Sequence, residues 1–163
     1  MNPATSPKYH FLVVDDDIHL HTTFTLMLEF HGHEVRTAHT GEAALALLEK
    51  VKFDVIITEY WLPGMQGDEL AAIVRQHWPD QPIILATTNV EDIQGHFHPP
   101  ATVDCLLNKP FSMLQLREAI LGVLDRYEEI RRGGSEAHQA PEDWLGVPKR
   151  LRNLPRPDDR PGR

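Results

Sequence analysis

The sequence predicts an α/β domain built on a parallel, doubly wound sheet of five strands with five helices. Two observations carry that prediction. Short continuous apolar runs, suited to strands buried on both faces of a parallel sheet, alternate with longer stretches of helical apolar spacing. The polar residues able to do chemistry, Asp15, Asp16, Glu59, Thr87 and Lys109, fall at the carboxyl ends of those runs. Ligands bind at that edge of open α/β sheets, where the strand order reverses.

Residues 1–8 read as a loose lead-in. Phe11-Leu12-Val13-Val14 is the first strand, closed by Asp15-Asp16-Asp17. Ile18 to Phe30 reads as a helix in which Ile18, Thr22, Leu26 and Phe30 follow fourfold spacing, beside Met27 and Leu28, and Gly32 stops it. Glu34 to Ala38 is the second strand. Thr40 caps a helix through Ala43, Ala44, Leu47 and Leu48. Phe53 to Thr58 is the third strand, and Gly67 to Trp78 a helix ended by Pro79. Pro82 to Thr87 is the fourth strand, followed by a weak helix from Val90 to Phe97. Val103 to Leu107 is the fifth strand. Ser112 caps a long helix through Leu114, Ile120, Leu121, Leu124 and Tyr127, ended by Gly133-Gly134. The expected organisation is thus a lead-in (1–8), one domain (9–130) and a flexible Pro- and Arg-rich tail (131–163), too short for a second domain. Asp143 to Val147, with Leu151 and Leu154, is the tail's one candidate docking motif.

The 163 residues suffice for one ordinary core, with 41% hydrophobic and 25% charged residues. No apolar run approaches the roughly 20 residues that cross a bilayer. The N-terminus has no signal-peptide segment. One cysteine, Cys105, cannot form an internal disulfide, so a cytoplasmic location is expected, with the thiol buried and inert. The net charge of -8 is uneven. Residues 131–163 hold eight basic and five acidic residues, and the rest of the chain eight basic and nineteen acidic. The acidic body repels nucleic acid phosphates, so no direct nucleic acid binding is expected. Ten histidines include pairs at i, i+2 (His19/His21, His31/His33, His96/His98); His19 and His21 do not share a helix face, and His96/His98, beside two prolines, have no Cys or third His to complete a site, so no metal role is expected of the histidines.

Three carboxylates close together repel one another unless a cation sits among them, and Mg²⁺ is the hard cation such a cluster suits. A transferring phosphoryl group spreads charge over its oxygens, which fixed cations and hydroxyl donors stabilise. The spaced set Asp15-Asp16, Glu59, Leu62-Pro63-Gly64-Met65-x-Gly67, Thr87 and Lys109-Pro110-Phe111 resembles the receiver domain of bacterial two-component response regulators. The resemblance covers about residues 9 to 130.

That resemblance implies a flavodoxin-like sheet of strand order 2-1-3-4-5. It places Glu59 at the phospho-acceptor position and Thr87 and Lys109 around the phosphoryl group. Asp15, Asp16, Glu59 and the backbone carbonyl of Trp61 would hold Mg²⁺, in a weakened site. Asp17 is common in such triplets but not usually a ligand; a triplet of this kind also suits the cap of the following helix. A sensor histidine kinase or another signalling protein is the implied partner. A homodimer would use the helix from Val90, the strand from Val103 and the helix from Ser112.

Three positions depart from the family pattern. Glu59 stands where an aspartate accepts the phosphoryl group. Its extra methylene moves the carboxylate towards Lys109, and a misplacement of about 1 Å can cost on the order of 10²-fold in an in-line transfer. Leu106 stands where the family usually has Tyr or Phe, and Thr88 where it has Ala or Gly. The expectation is a signalling module, not an enzyme, without an output domain, acting by protein contact with weakened or absent phosphorylation and Glu59 paired with Lys109. One alternative is a conventional phospho-accepting single-domain regulator. The other is a small Mg²⁺-dependent phosphohydrolase, because Asp15-x-Asp17 after a strand resembles the nucleophile motif of haloacid-dehalogenase-like phosphatases, although Ile18-His19 do not continue it.

Overall fold

The structure is a computed structural model that describes residues 7–88 and 102–133. The expected lead-in up to Ser6, the helix over Val90–Phe97 with its His96/His98 pair, and the tail from Gly134 lie outside the described residues. Five strands form one parallel sheet in the order β2-β1-β3-β4-β5. They are β1 (His10–Val14), β2 (Glu34–Ala38), β3 (Val55–Thr58), β4 (Ile83–Thr87) and β5 (Cys105–Asn108). Four helices are described: α1 (Ile18–Glu29), α2 (Gly41–Leu48), α3 (Gly67–His77) and α4 (Met113–Arg131).

β1 and β2 start at or before the expected residue, whereas β3, β4 and β5 start later than the apolar runs suggest, two of them for visible local reasons. β3 begins at Val55 because pairing with β1 begins at Phe11↔Val55, and Asp54 instead accepts the His10 amide at 2.7 Å. β5 begins at Cys105 because the carboxylate of Asp104 accepts the Ile83 amide at 2.8 Å and the Arg75 guanidinium at 2.9 Å. That guanidinium also donates to the carbonyls of Pro79, Gln81 and Thr102 and to the Tyr127 hydroxyl. It ties α3, the entry to β5 and α4 together at the amino edge of the sheet.

Strand alternation sends side chains to two cores. Leu12, Val14, Ile56, Leu85 and Leu106 pack towards α2 and α3. Phe11, Val13, Ile57, Ile84 and Leu107 pack towards α1 and α4. The expected helix caps are present. Thr40 Oγ1 accepts from the Ala43 amide at 3.1 Å and Ser112 Oγ from the Gln115 amide at 3.2 Å. Gly32 takes a φ of +83° just beyond α1, a region open to glycine without strain.

Two helix faces correct the sequence reading. The fourfold series on α1 faces solvent: Ile18, Leu26 and Phe30 are 62%, 65% and 87% exposed. The buried face is His21, Phe24 and Leu28. A series at spacing four drifts about 40° per step on a helix of 3.6 residues per turn, so it winds off the core face. The mixed spacing 21-24-28 stays on it. On α4, Leu114 and Leu121 are likewise exposed, and Leu116, Ala119, Ile120, Val123 and Tyr127 are buried. Unfolding measured in urea should separate the two faces of α1. Phe24→Ala should cost about 3–5 kcal/mol through the cavity it leaves, and Phe30→Ala should stay within about 0.5 kcal/mol.

Candidate functional site

The carboxyl edge of the sheet brings three of the sequence-predicted residues into direct contact. Asp15 follows β1, Glu59 follows β3 and Lys109 follows β5, so three separate strands deliver them to one place. All three are buried. Lys109 Nζ donates to Asp15 Oδ2 at 2.6 Å and to Glu59 Oε2 at 2.7 Å. The remaining carboxylate oxygens are also engaged. Asp15 Oδ1 accepts from the Asp17 amide at 2.9 Å. Glu59 Oε1 accepts from the amides of Tyr60 at 2.7 Å and Trp61 at 3.2 Å. The extra methylene of glutamate lets one oxygen fold back onto its own following amides while the other reaches the lysine.

The loop after Glu59 is held close by glycine. A Cβ at Gly67 would lie 2.1 Å from the Glu59 carbonyl oxygen. The Gly67 amide donates to the Tyr60 carbonyl at 2.8 Å, which fixes the start of α3 against the end of β3. Lys109 is placed by its own amide, which donates to the Thr87 carbonyl at 2.8 Å, and the Lys109-Pro110 bond is cis. Burial alone works against the charged ammonium. The hydrogen bonds and negative charges of Asp15 and Glu59 outweigh it and hold the Lys109 pKa above its ordinary value.

The other predicted residues stand apart from this cluster. Asp16 is exposed. Asp17 caps α1, its Oδ1 accepting from the His19 amide at 2.8 Å. Trp61 is half exposed and engages Glu59 through its N–H. Thr87 is fully buried, and its hydroxyl has no hydrogen-bond partner. Leu106 is buried in the core under α2 and α3, and Thr88 is exposed. Cys105 is buried, and its thiol pKa is pushed up to about 12 by burial and then by the Asp104 charge, so it stays a protonated thiol near neutrality. The amides of Tyr60 and Trp61 were missed by sequence reasoning, because a backbone donor leaves no trace in residue type.

The carboxylates the resemblance implies for a divalent cation are already engaged within the protein, Asp16 excepted. Every oxygen of Asp15 and Glu59 already accepts a hydrogen bond, two of them from an ammonium. Among the described residues no group of three His, Cys, Asp or Glu side chains is placed to hold a metal. A divalent cation here would have to share the oxygens of Asp15 and Glu59 with Lys109.

Strand order 2-1-3-4-5, with a polar cluster at the edge where β1 and β3 diverge, defines the class: a flavodoxin-like α/β domain with its site at the switch point. Within that class, residues 11–121 match the response regulator receiver domain, and the chain belongs to that family. Receiver domains are signalling modules of two-component systems rather than classical enzymes. The chain is similar to the transcriptional regulatory protein TrcR of Mycobacterium tuberculosis, 29% identical over 134 residues that cover 82% of this chain and 52% of TrcR. It therefore spans about half the length of that relative. A CheY-like receiver domain protein from Methanospirillum hungatei is 30% identical with a TM-score of 0.70, over 76% of this chain and 99% of that one. TrrA of Thermotoga maritima, solved in complex with Mg²⁺-BeF, is 28% identical with a TM-score of 0.65, over 71% of this chain and 99% of that one. No helix among the described residues is long and apolar enough to cross a membrane.

Removing the ammonium would leave two buried carboxylates without their cation. Lys109→Met should destabilise the domain by about 3–5 kcal/mol in urea unfolding. The pH dependence follows from the raised pKa. Because the folded-state value lies above the ordinary 10.5, the stabilisation is complete below about pH 10.5 and is lost as pH rises through the folded value. Thermal unfolding of the parent should therefore fall steeply in that alkaline window, and the corresponding fall should be shallower in Lys109→Met.

Proposed function

We propose that this receiver domain signals through protein contact and that phosphoryl transfer to it is weak or lost. The observation that carries the reading is the closed cluster, in which Lys109 bridges Asp15 and Glu59 and the second Glu59 oxygen rests on two backbone amides. A carboxylate acting as nucleophile needs an oxygen free to attack in line. Both Glu59 oxygens are engaged, one by Lys109 and one by two amides, which lowers their nucleophilicity, and the longer side chain shifts the reacting position along the transfer axis. Glu59 in this reading is a fixed anion on Lys109, which biases the domain towards one state without a donor. Asp15 and Asp16 are the residues that would supply oxygens to Mg²⁺, the chemistry of which is to neutralise phosphoryl charge, and an ion there competes with Lys109 for Asp15. In this reading Lys109 is the cation that would meet a phosphoryl oxygen, and Thr87 the hydroxyl that would join it.

The partner is a sensor histidine kinase or another signalling protein. A surface for pairing with a second copy would include β5 and α4; the expected Val90 helix of that surface lies outside the described residues. The module is assigned to the cytoplasm, in keeping with its single buried thiol. The phosphohydrolase alternative is disfavoured by Asp17, whose carboxylate is committed to capping α1.

The conventional phospho-accepting reading is separated by one assay. Purified protein is treated with acetyl phosphate and Mg²⁺, and its intact mass is recorded beside that of Glu59→Asp. The parent should gain no phosphoryl group, and Glu59→Asp should gain one, consistent with a site altered only at the acceptor. A stable phosphoryl adduct on Glu59 of the parent would overturn the proposal.

A further inference from the structure

The solvent face of α1 carries an apolar stripe. Ile18, Leu26 and Phe30 are exposed in line at fourfold spacing, with exposed Thr22 between them. The stripe runs about 18 Å along the helix. Single apolar side chains on a surface are ordinary, but three in a row with the last one almost bare mark a contact face. Exposed Asp16 and Asp17 stand at one end of the stripe and exposed Glu29 at the other, and no lysine or arginine falls between Asp16 and Phe30. α1 and α4 share one core layer through Phe24, Leu28, Leu116 and Ile120. Each follows a parallel strand and returns to the amino edge of the sheet, so their ends meet near Tyr9. The Tyr9 ring lies 5.6 Å from that of His33, just past α1. Burial raises the Tyr9 pKa, and the charges of Glu128, Asp54 and Asp125 raise it further, two of these acids lying on α4. The chain beyond α4 therefore departs beside the Phe30 end of the stripe.

We propose that the segment from Trp144 to Leu154 docks on the α1 stripe of its own chain. The segment complements the stripe in both respects. It offers Trp144, Leu145, Val147, Leu151 and Leu154 to apolar contact. Between Trp144 and Pro157 it carries Lys149, Arg150, Arg152 and Arg156 and no acid, against the three acids around the stripe. Reach is sufficient. Eleven residues lead from Gly133 to Trp144, a span of up to about 36 Å, which exceeds the length of the stripe. Tethering favours the chain's own segment over that of a second copy, because a link of this length holds it at an effective concentration of about millimolar. The stripe starts beside Asp16 and Asp17, so a docked segment crowds the approach to the lysine cluster, and a partner using that edge has to displace it. That consequence rests on the protein-contact reading above, but the docking itself does not. The phosphorylation assay can fail while the docking stands, and the docking can fail without changing that assay.

The test places a nitroxide spin label on the full chain at Gly146→Cys and records amide NMR signals. Cys105 is buried with its thiol held protonated, so it escapes the label. Signals from Thr22 to Phe30 should lose intensity, whereas those of α2 and α3, on the other side of the sheet, should keep theirs. The loss should persist on dilution and disappear when Leu26→Ser and Phe30→Ser are combined, a change at exposed positions that spares the core. No loss on α1, or loss confined to other elements, overturns the proposal. A loss that vanishes on dilution assigns the stripe to a second copy and overturns it as well. Unlabelled protein gives an independent check. Trp144→Ser should shift the same α1 amide signals, and unchanged signals would count against the docking.

Discussion

One ammonium between two buried carboxylates sets the terms for the carboxyl edge of this domain. Lys109 reaches Asp15 and Glu59 from a third strand, so its charge ties the ends of β1, β3 and β5 together. Two acids at that depth would repel each other and would each be costly to desolvate. The lysine offsets both costs only because it is within hydrogen-bond range of the two at once. The loop after Glu59 then depends on the same arrangement, since its first two amides close on the remaining Glu59 oxygen. Gly67 allows that loop to pass against the Glu59 carbonyl where no side chain fits.

A second polar network holds the opposite edge. Arg75 binds three carbonyls, the Asp104 carboxylate and the Tyr127 hydroxyl. The Tyr127 pKa is raised by burial and by the charge of Asp104, so its hydroxyl remains a neutral donor within that network. The start of β5 is thereby fixed at its amino end and its finish by Lys109 at the carboxyl end.

The sheet was legible because parallel strands buried on both faces must be continuously apolar, as Phe11 to Val14 and Ile83 to Ala86 are. The residues at the strand ends were legible because the chain can place chemistry only where the apolar runs stop. Helix faces were less so. Ile18, Leu26 and Phe30 are apolar and regularly spaced, yet they face solvent, while His21 is buried with its ring 4.4 Å from that of His39. Residue type and period propose a face, and packing against the sheet chooses it. Leu114 and Leu121 on α4 make the same point.

The sequence by itself determined the fold class, the strand order through its resemblance, and the membership of Asp15, Glu59 and Lys109 in one site. It did so because residue type, spacing and position at strand ends are local properties of the chain. Tertiary structure alone decided which atoms meet. It added Asp15 to the Glu59–Lys109 pairing that the longer side chain had suggested, placed two backbone amides on Glu59, left Asp16 in solvent and singled out Asp17 as the helix cap. It also buried Thr87 with its hydroxyl unpaired. Those outcomes depend on strand register, on the pleat that alternates side chains, and on one methylene in Glu59, whose reach has meaning only when its neighbours are in place.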